Sequence, residues 1–197
     1  WVIWRWRSPV VKSPLPRETI GTAMSAGLRF VAMSPNIGRV LLRAFTFGFG
    51  SVAVLALLPL VARNLVGGGP LTYGILLGAF GMGAVAGAYV GTQLRAMVSG
   101  ESIVRIAFGG FALCAATAAL SPHAWLTAIG LAFGGASWLL ALALFNTTVQ
   151  LSTPRWVVGR ALSLYQTATF GGMAAGSFLW GQAAETGGVA QALIWAV

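Results

Sequence analysis

Long uncharged stretches, separated by single arginines or short basic loops, dominate the pattern of the chain. They cover residues 44–62, 64–94, 106–154, 161–184 and 186–197. A membrane-spanning helix needs about 20 consecutive apolar residues, so the stretch 106–154 is too long for one helix, and Ser121-Pro122-His123 divides it. The pattern predicts helices over 38–62, 71–96, 103–120, 123–151, 159–184 and 188–197.

The composition supports a membrane protein. Hydrophobic residues make up 57% of the 197 residues and charged residues only 8%, whereas soluble domains carry about 25% charged residues. This balance excludes an ordinary soluble domain, and it excludes a disordered chain, because such chains are polar and rich in charge. The predicted fold is therefore an all-α polytopic membrane protein with about five full transmembrane helices and a partial sixth.

The positive charge is concentrated on one side of the predicted helices. The chain has 12 Lys and Arg residues, 3 acidic residues and a net charge of +9. Eleven of the basic residues precede the first uncharged stretch, 44–62, or lie in the loops near 95–105 and 152–160, and Arg63 alone lies in the opposite loops. Because basic loops stay in the cytoplasm, the N-terminal segment is predicted to be cytoplasmic. The charge is thus assigned to membrane topology, and no nucleic-acid partner is expected.

Residues 1–37 are interpreted as a cytoplasmic connector and residues 38–197 as a transmembrane helical bundle. Within the connector, residues 17–33 repeat apolar side chains at helical spacing, which predicts an interfacial helix. These side chains are Ile20, Met24, Leu28 and Val31. A plain basic linker is the alternative. The chain begins at Trp1 and its last apolar stretch stops at Val197, so a fragment is expected.

Candidate catalytic residues are lacking in the sequence pattern. The three acids are Glu18, Glu101 and Glu185, and none lies within a predicted full span. There is no Walker loop, no H-E-x-x-H motif, no paired carboxylates and only one cysteine, Cys114. No enzymatic activity, cofactor or metal site is predicted.

Polar and aromatic side chains inside the spans are the candidates for a substrate path, because polar groups in lipid usually face a bundle interior or a cavity. The candidates are Ser137, Trp138, Asn146, Gln150, Tyr165 and Gln166. Asn146 and Gln150 are four residues apart and share a helix face. They are predicted either to fix two helices by hydrogen bonds or to form a cytoplasmic gate or cavity wall. Trp138 is either an aromatic substrate wall or ordinary packing.

Two ladders of small residues are predicted to let helices approach closely. They consist of Gly83, Gly87 and Gly91 in the second span and of Gly172 and Gly176 in the fifth. The ladders are predicted either to hold the helices in fixed packing or to form a seam along which helices slide. Arg155 and Arg160, on either side of Gly159, are candidates for a cytoplasmic gate, with helix-end charge as the alternative. Arg43 is expected to extend to the lipid headgroups.

Four segments resemble a known family. They are 57–63 (LLPLVAR), 146–151 (NTTVQL), 154–166 (PRWVVGRALSLYQ) and 171–177 (GGMAAGS). They are similar to the seventh, tenth and eleventh helices of bacterial major facilitator exporters of the transmembrane secretion effector group, whose best-known members are enterobactin-exporter-like. The loop 91–101 departs from the superfamily pattern, since it has no Asp and no basic cluster.

The resemblance implies the C-terminal half of a twelve-helix major facilitator fold in a bacterial plasma membrane. It implies a secondary active transporter that exports a small amphiphilic molecule, siderophore-like or drug-like, by alternating access. The lipid bilayer, a small-molecule substrate and a missing N-terminal six-helix half would be its partners, and the glycine ladders would face that half. A non-transporting scaffold or a truncated remnant is the alternative.

Overall fold

The computed structural model describes residues 19–196, which form seven α-helices and contain no strand. The helices are α1 Ile20–Ala32, α2 Pro35–Leu60, α3 Pro70–Met97, α4 Gly100–Leu120, α5 Ala124–Leu151, α6 Val158–Gly187 and α7 Val189–Trp195, and a π-helical turn Val61–Leu65 continues α2. All six predicted spans are present, with ends within a few residues of those predicted. The part of the predicted connector before residue 19 lies outside the described residues.

Within residues 19–196, four helices are long and apolar enough to cross a membrane. They are α2 with its π-helical turn, α3, α4 and α5. The fifth predicted span, α6, has 30 residues but a lower apolar content, because several of its exposed positions carry polar side chains, such as Gln166, Ser177 and Gln182. It nevertheless runs beside α2. The long apolar helices confirm the all-α polytopic class, and a lower apolar content distinguishes α6 from them.

The glycine ladders bring helices of this bundle together. Gly172 lies against Phe45 and Gly176 against Phe49, so α6 follows α2 in the same direction. In the same way Gly83 and Gly87 lie against Ala132 and Ala136, and Gly91 lies against Leu140, so α3 follows α5. A methyl group placed on Gly87 would be 2.6 Å from the Cα atom of Ala136.

These contacts correct one expectation about the ladders. All five glycines are buried, and the helices that cover them are α5 and α2 of the same bundle. The face that the resemblance assigned to another half of the protein is therefore not formed by these glycines. Close approach of neighbouring helices accounts for their position.

A cluster of phenylalanines lies where α2, α4 and α5 meet. The ring of Phe47 contacts Phe108, Phe111 and Phe145 edge to face, with ring centroids 5.0, 5.7 and 6.3 Å apart. Edge-to-face pairs of this kind add about 0.5–1.5 kcal/mol to the burial of their area. This cluster fixes α5, which carries half of the site described below, against α2 and α4.

One end of the bundle carries most of its arginines and is called here the arginine-rich end. It consists of Arg39, Arg43, Arg95, Arg105, Arg155 and Arg160, at the starts of α2, α4 and α6 and the ends of α3 and α5. Arg43 pairs with Glu101 across 2.8 Å, and Arg105 lies 3.9 Å from the same carboxylate. Arg43, which was expected to extend to the headgroups, binds Glu101 on α4 through its guanidinium.

Candidate functional site

A cavity of about 430 Å³ opens between α5 and α6. We call it the α5–α6 cavity. Its wall consists of Trp138, Leu139, Leu142, Ala143, Asn146, Thr147, Tyr165, Gln166, Thr169, Phe170 and Met173. Four of the six predicted substrate-path residues, Trp138, Asn146, Tyr165 and Gln166, are brought together here. The structure thus brings candidates from α5 and candidates from α6 together in one cavity.

Tyr165 connects the two helices that form the cavity. Its side chain is buried, and its hydroxyl donates a hydrogen bond to the carbonyl oxygen of Leu142 across 3.2 Å. One turn further along α6, the hydroxyl of Thr169 donates to the carbonyl oxygen of Tyr165 across 2.9 Å. These bonds satisfy two buried hydroxyls inside an apolar bundle, where an unpaired polar group would be costly. The wall is therefore held together by polar contacts.

The α5 wall changes from aromatic to polar towards the arginine-rich end. Trp138 is half-buried and its ring lies 6.0 Å from that of Phe80 on α3. Two turns later Asn146 is half-buried, and its side-chain oxygen accepts a hydrogen bond from the amide of Gln150. Gln150 itself is exposed and lies beyond the cavity wall. Its contact with Asn146 stays within α5, so this pair does not join α5 to another helix.

Ser137 lies on a different face of α5 from the cavity. It is 6% exposed and its hydroxyl lies against Gly110 on α4. Its neighbour Trp138 faces the cavity, because successive helix positions point about 100° apart. The structure therefore separates these two candidates.

Seven lining residues were not among the predicted site residues: Leu139, Leu142, Ala143, Thr147, Thr169, Phe170 and Met173. Phe170 is 64% exposed and lies four residues after Gln166, on the same face of α6. That spacing was a usable signal, but Phe170 and Met173 look like ordinary core residues in an apolar span. Only the pairing of α5 with α6 assigns them to the cavity.

The chemistry of the wall is amphiphilic and uncharged. Leu139, Leu142 and Met173 supply an apolar surface, while the amides of Asn146 and Gln166 offer donors and acceptors. None of the lining residues is ionisable at neutral pH. A volume of this size lies in the range of about 300–1,000 Å³ that is typical of small-molecule sites. The cavity can therefore hold a small molecule with one apolar and one hydrogen-bonding side.

The two gate candidates lie at the arginine-rich end, next to the start of α6. Arg155 is exposed in the loop between α5 and α6. Arg160 is half-buried, and its aliphatic carbons lie against Gly27 of α1. Trp156, between them in the chain, has its ring 6.2 Å from Phe30 of α1. The structure thus places α1 beside both candidates.

No metal site is found in the described part of the chain, where no three His, Cys, Asp or Glu side chains come together. The cavity wall also lacks these ligand types.

The comparisons with known proteins agree with this architecture. The family model described as transmembrane secretion effector, of the major facilitator superfamily, matches residues 1–197. The chain belongs to the transmembrane secretion effector family. Its similarity to the enterobactin exporter EntS of Salmonella choleraesuis is 32% identity over 170 residues, and the same values hold for EntS of Citrobacter koseri and of Salmonella typhi.

These alignments cover 85% of this chain and 40% of each exporter. The chain therefore spans less than half the length of the curated relatives it matches. No solved structure matches this chain. Membership in the transmembrane secretion effector family, together with four helices able to cross a membrane, makes this a multi-pass inner-membrane protein of a transporter family.

Proposed function

We propose that this chain forms part of the translocation path of a secondary active transporter that exports small amphiphilic molecules. The α5–α6 cavity carries the proposal, because its wall joins an aromatic and apolar surface to uncharged amides. A molecule with a planar apolar part and a hydrogen-bonding edge would fit such a wall. The relatives named enterobactin exporters support a siderophore-like substrate, and the uncharged wall is equally suited to a drug-like one.

The exposed face of α6 supports a path shared with another helical unit. Gln166, Phe170 and Ser177 lie along this face and are uncovered by the helices described here. Polar side chains of a membrane helix face a cavity or another protein surface rather than lipid. We infer that a homologous bundle, the N-terminal six-helix half, lies opposite this face and that the substrate moves between the two bundles.

Alternating access would follow from rocking of one bundle against the other. Binding of substrate in the cavity would bias the two orientations, and an ion gradient would supply the direction. Because no Asp or Glu lies within a predicted span of this chain, we place a proton-coupling carboxylate, if protons drive export, on the other bundle. We also infer that the arginine-rich end faces the cytoplasm, since basic loops stay on that side, and that Arg155 and Arg160 lie at the cytoplasmic entrance.

Transport by the full-length protein in proteoliposomes tests this proposal, with enterobactin and the amphiphilic dye ethidium as probes. Gln166→Ala removes an amide from the cavity wall, and Gln182→Ala is its matched control, because Gln182 is exposed on the same helix but does not line the cavity. We expect the first variant to lower the efflux of at least one probe severalfold and the second to leave it unchanged. Equal effects of both variants, or no efflux by the wild type under an ion gradient, would contradict the proposal and favour a non-transporting scaffold.

A further inference from the structure

Helix α1 has three distinct faces. Met24 and Leu28 lie four residues apart on one face, and they are 70% and 62% exposed. Ser25 and Arg29, also exposed, lie on a second face. A third face, on the opposite side of the helix from the first two, carries Gly27 and contacts the bundle.

The bundle contact is made with the start of α6. Among the residues of α1 whose burial is described, Gly27 is the one that is buried, and a methyl group placed on it would lie 3.1 Å from the Cβ atom of Arg160. Phe30, on the same face, meets Trp156 edge to face at 6.2 Å. The described contact thus involves positions 27 and 30 of α1 and leaves Met24 and Leu28 uncovered.

The position of α1 in the fold indicates what covers that apolar face. Only residues 33 and 34 separate α1 from α2, which is apolar enough to cross a membrane. α1 thus lies at the membrane boundary of the arginine-rich end. Two large apolar side chains held open at this depth are suited to the upper part of a lipid leaflet.

The charge around α1 indicates which kind of lipid. Residues 19–43 contain Arg29, Arg39 and Arg43 and no acidic residue. Arg155 and Arg160 belong to the segment on which α1 packs. In the described part of this end the one carboxylate is Glu101, which is paired with Arg43. Basic side chains next to a membrane attract anionic headgroups.

We propose that α1 is a membrane-surface helix that binds an anionic leaflet through Met24 and Leu28 and its neighbouring arginines, and that it positions the start of α6. The lipid would then contact one face of this rigid helix, and the bundle would contact another face, at Gly27. Through Arg160 and Trp156, the lipid surface would influence the helix that forms half of the α5–α6 cavity. This inference does not depend on which molecule is transported.

Spin labels on α1 of the full-length protein test the lipid contact directly. In a Cys114→Ala background, with any cysteine outside this chain also replaced, Met24→Cys and Leu28→Cys carry the label on the apolar face. Ser25→Cys is the matched control on the polar face. In vesicles of phosphatidylcholine mixed with phosphatidylglycerol, we expect labels at 24 and 28 to collide more with oxygen than with a water-soluble nickel chelate. The label at 25 should show the reverse.

Three results would overturn the proposal. Labels at 24 and 28 that collide mainly with the nickel chelate would place this face in water. Labels shielded from both reagents would show that protein covers it. A contrast between positions 24 and 25 that is unchanged in vesicles of phosphatidylcholine alone would remove the preference for anionic lipid, which we expect to increase that contrast severalfold.

A second pair of variants tests the link to α6. Gly27→Leu should push α1 away from Arg160, whereas Gly21→Leu adds the same side chain at a position with no atom within 4 Å. With a label on Ser163→Cys, an exposed residue in the second turn of α6, we expect greater label mobility in Gly27→Leu than in Gly21→Leu. Identical spectra would show that α1 does not position α6, even where the lipid contact itself is found.

Discussion

The hydroxyl of Tyr165 donates a hydrogen bond to the carbonyl oxygen of Leu142 across 3.2 Å and thereby joins α6 to α5 at the wall of the α5–α6 cavity. The same carbonyl is the helical acceptor for the amide of Asn146, because α-helical bonds join residues four apart. Tyr165 is thus connected, through one carbonyl group, to the turn of α5 that presents Asn146 to the cavity.

Replacing Tyr165 by phenylalanine tests this connection. We expect Tyr165→Phe to lower the free energy of unfolding by about 0.5–1.5 kcal/mol, the net value of one buried hydrogen bond, and to weaken substrate binding more than it lowers the maximal rate. Thermal unfolding in detergent and the substrate dependence of efflux measure the two effects. Tyr89→Phe is the control, because Tyr89 is 72% exposed on α3. A Tyr89→Phe variant with equal losses would show that the Tyr165 bond has no special role.

The contact between α2 and α6 gives a second prediction. A methyl group on Gly172 would overlap the carbonyl oxygen of Phe45, whereas the neighbouring Gly171 has no atom within 4 Å of that position. We expect Gly172→Ala to destabilise the protein by about 1–3 kcal/mol, as overpacking of a tight contact does, and Gly171→Ala to cause no loss. The thermal unfolding temperatures of the two variants, measured under the same conditions, test this prediction. If both unfold at the same temperature as the wild type, the two helices are not held as closely as described.

The helices could be predicted from the sequence because lipid imposes a simple rule. Each long uncharged stretch forms one helix, except 106–154, which forms two that are separated at Ser121-Pro122-His123. The caps could not be predicted as well. The side chains that cap helices are Thr19 and Ser99, which accept from the amides of Thr22 and Ser102. Ser34, directly before Pro35, makes no such side-chain bond, and the amide of Ile37, the third helical residue, donates to the backbone carbonyl oxygen of Ser34 instead.

The site was only partly predictable, because it depends on which helices are neighbours. Asn146 and Gln166 were identifiable as polar side chains in apolar spans, yet nothing local places them in one cavity. The burial of Ser137 against Gly110 likewise depends on how α4 packs on α5. The bond from Trp180 on α6 to the carbonyl oxygen of Phe49, 2.7 Å long, joins positions 131 residues apart. Such contacts follow from tertiary packing and leave no periodic signal.

The ion pair between Arg43 and Glu101 gives a third prediction. The guanidinium of Arg43 donates to both carboxylate oxygens of Glu101, at 2.8 and 3.3 Å. The two side chains are 43% and 48% exposed. Solvent screening at such exposure limits the effect, so we expect Glu101→Gln to lower the free energy of unfolding by about 0.2–1 kcal/mol. The loss should shrink as salt is added, since salt screens exposed charges.

Thermal unfolding at low and high salt measures this loss. Glu185→Gln is the matched control, because Glu185 is exposed and has no ion pair within residues 19–196. A loss for Glu101→Gln that is independent of salt, or equal to that of the control, would show that the pair does not stabilise the contact between α2 and α4.

The polar face of α6 gives the fourth prediction, which separates a water-filled path from a lipid contact. In a Cys114→Ala background we expect Gln166→Cys and Ser177→Cys to react with a membrane-impermeant methanethiosulfonate reagent. The physical reason is that the thiolate attacks the sulfur of the reagent and displaces its sulfinate, and a thiol ionises in water but not in lipid. Leu113→Cys is the control, because Leu113 is 55% exposed on the apolar helix α4. Reactivity at Gln166→Cys and Ser177→Cys as low as that at Leu113→Cys would place this face of α6 against lipid or in a dry interface, and the proposed path along it would then be wrong.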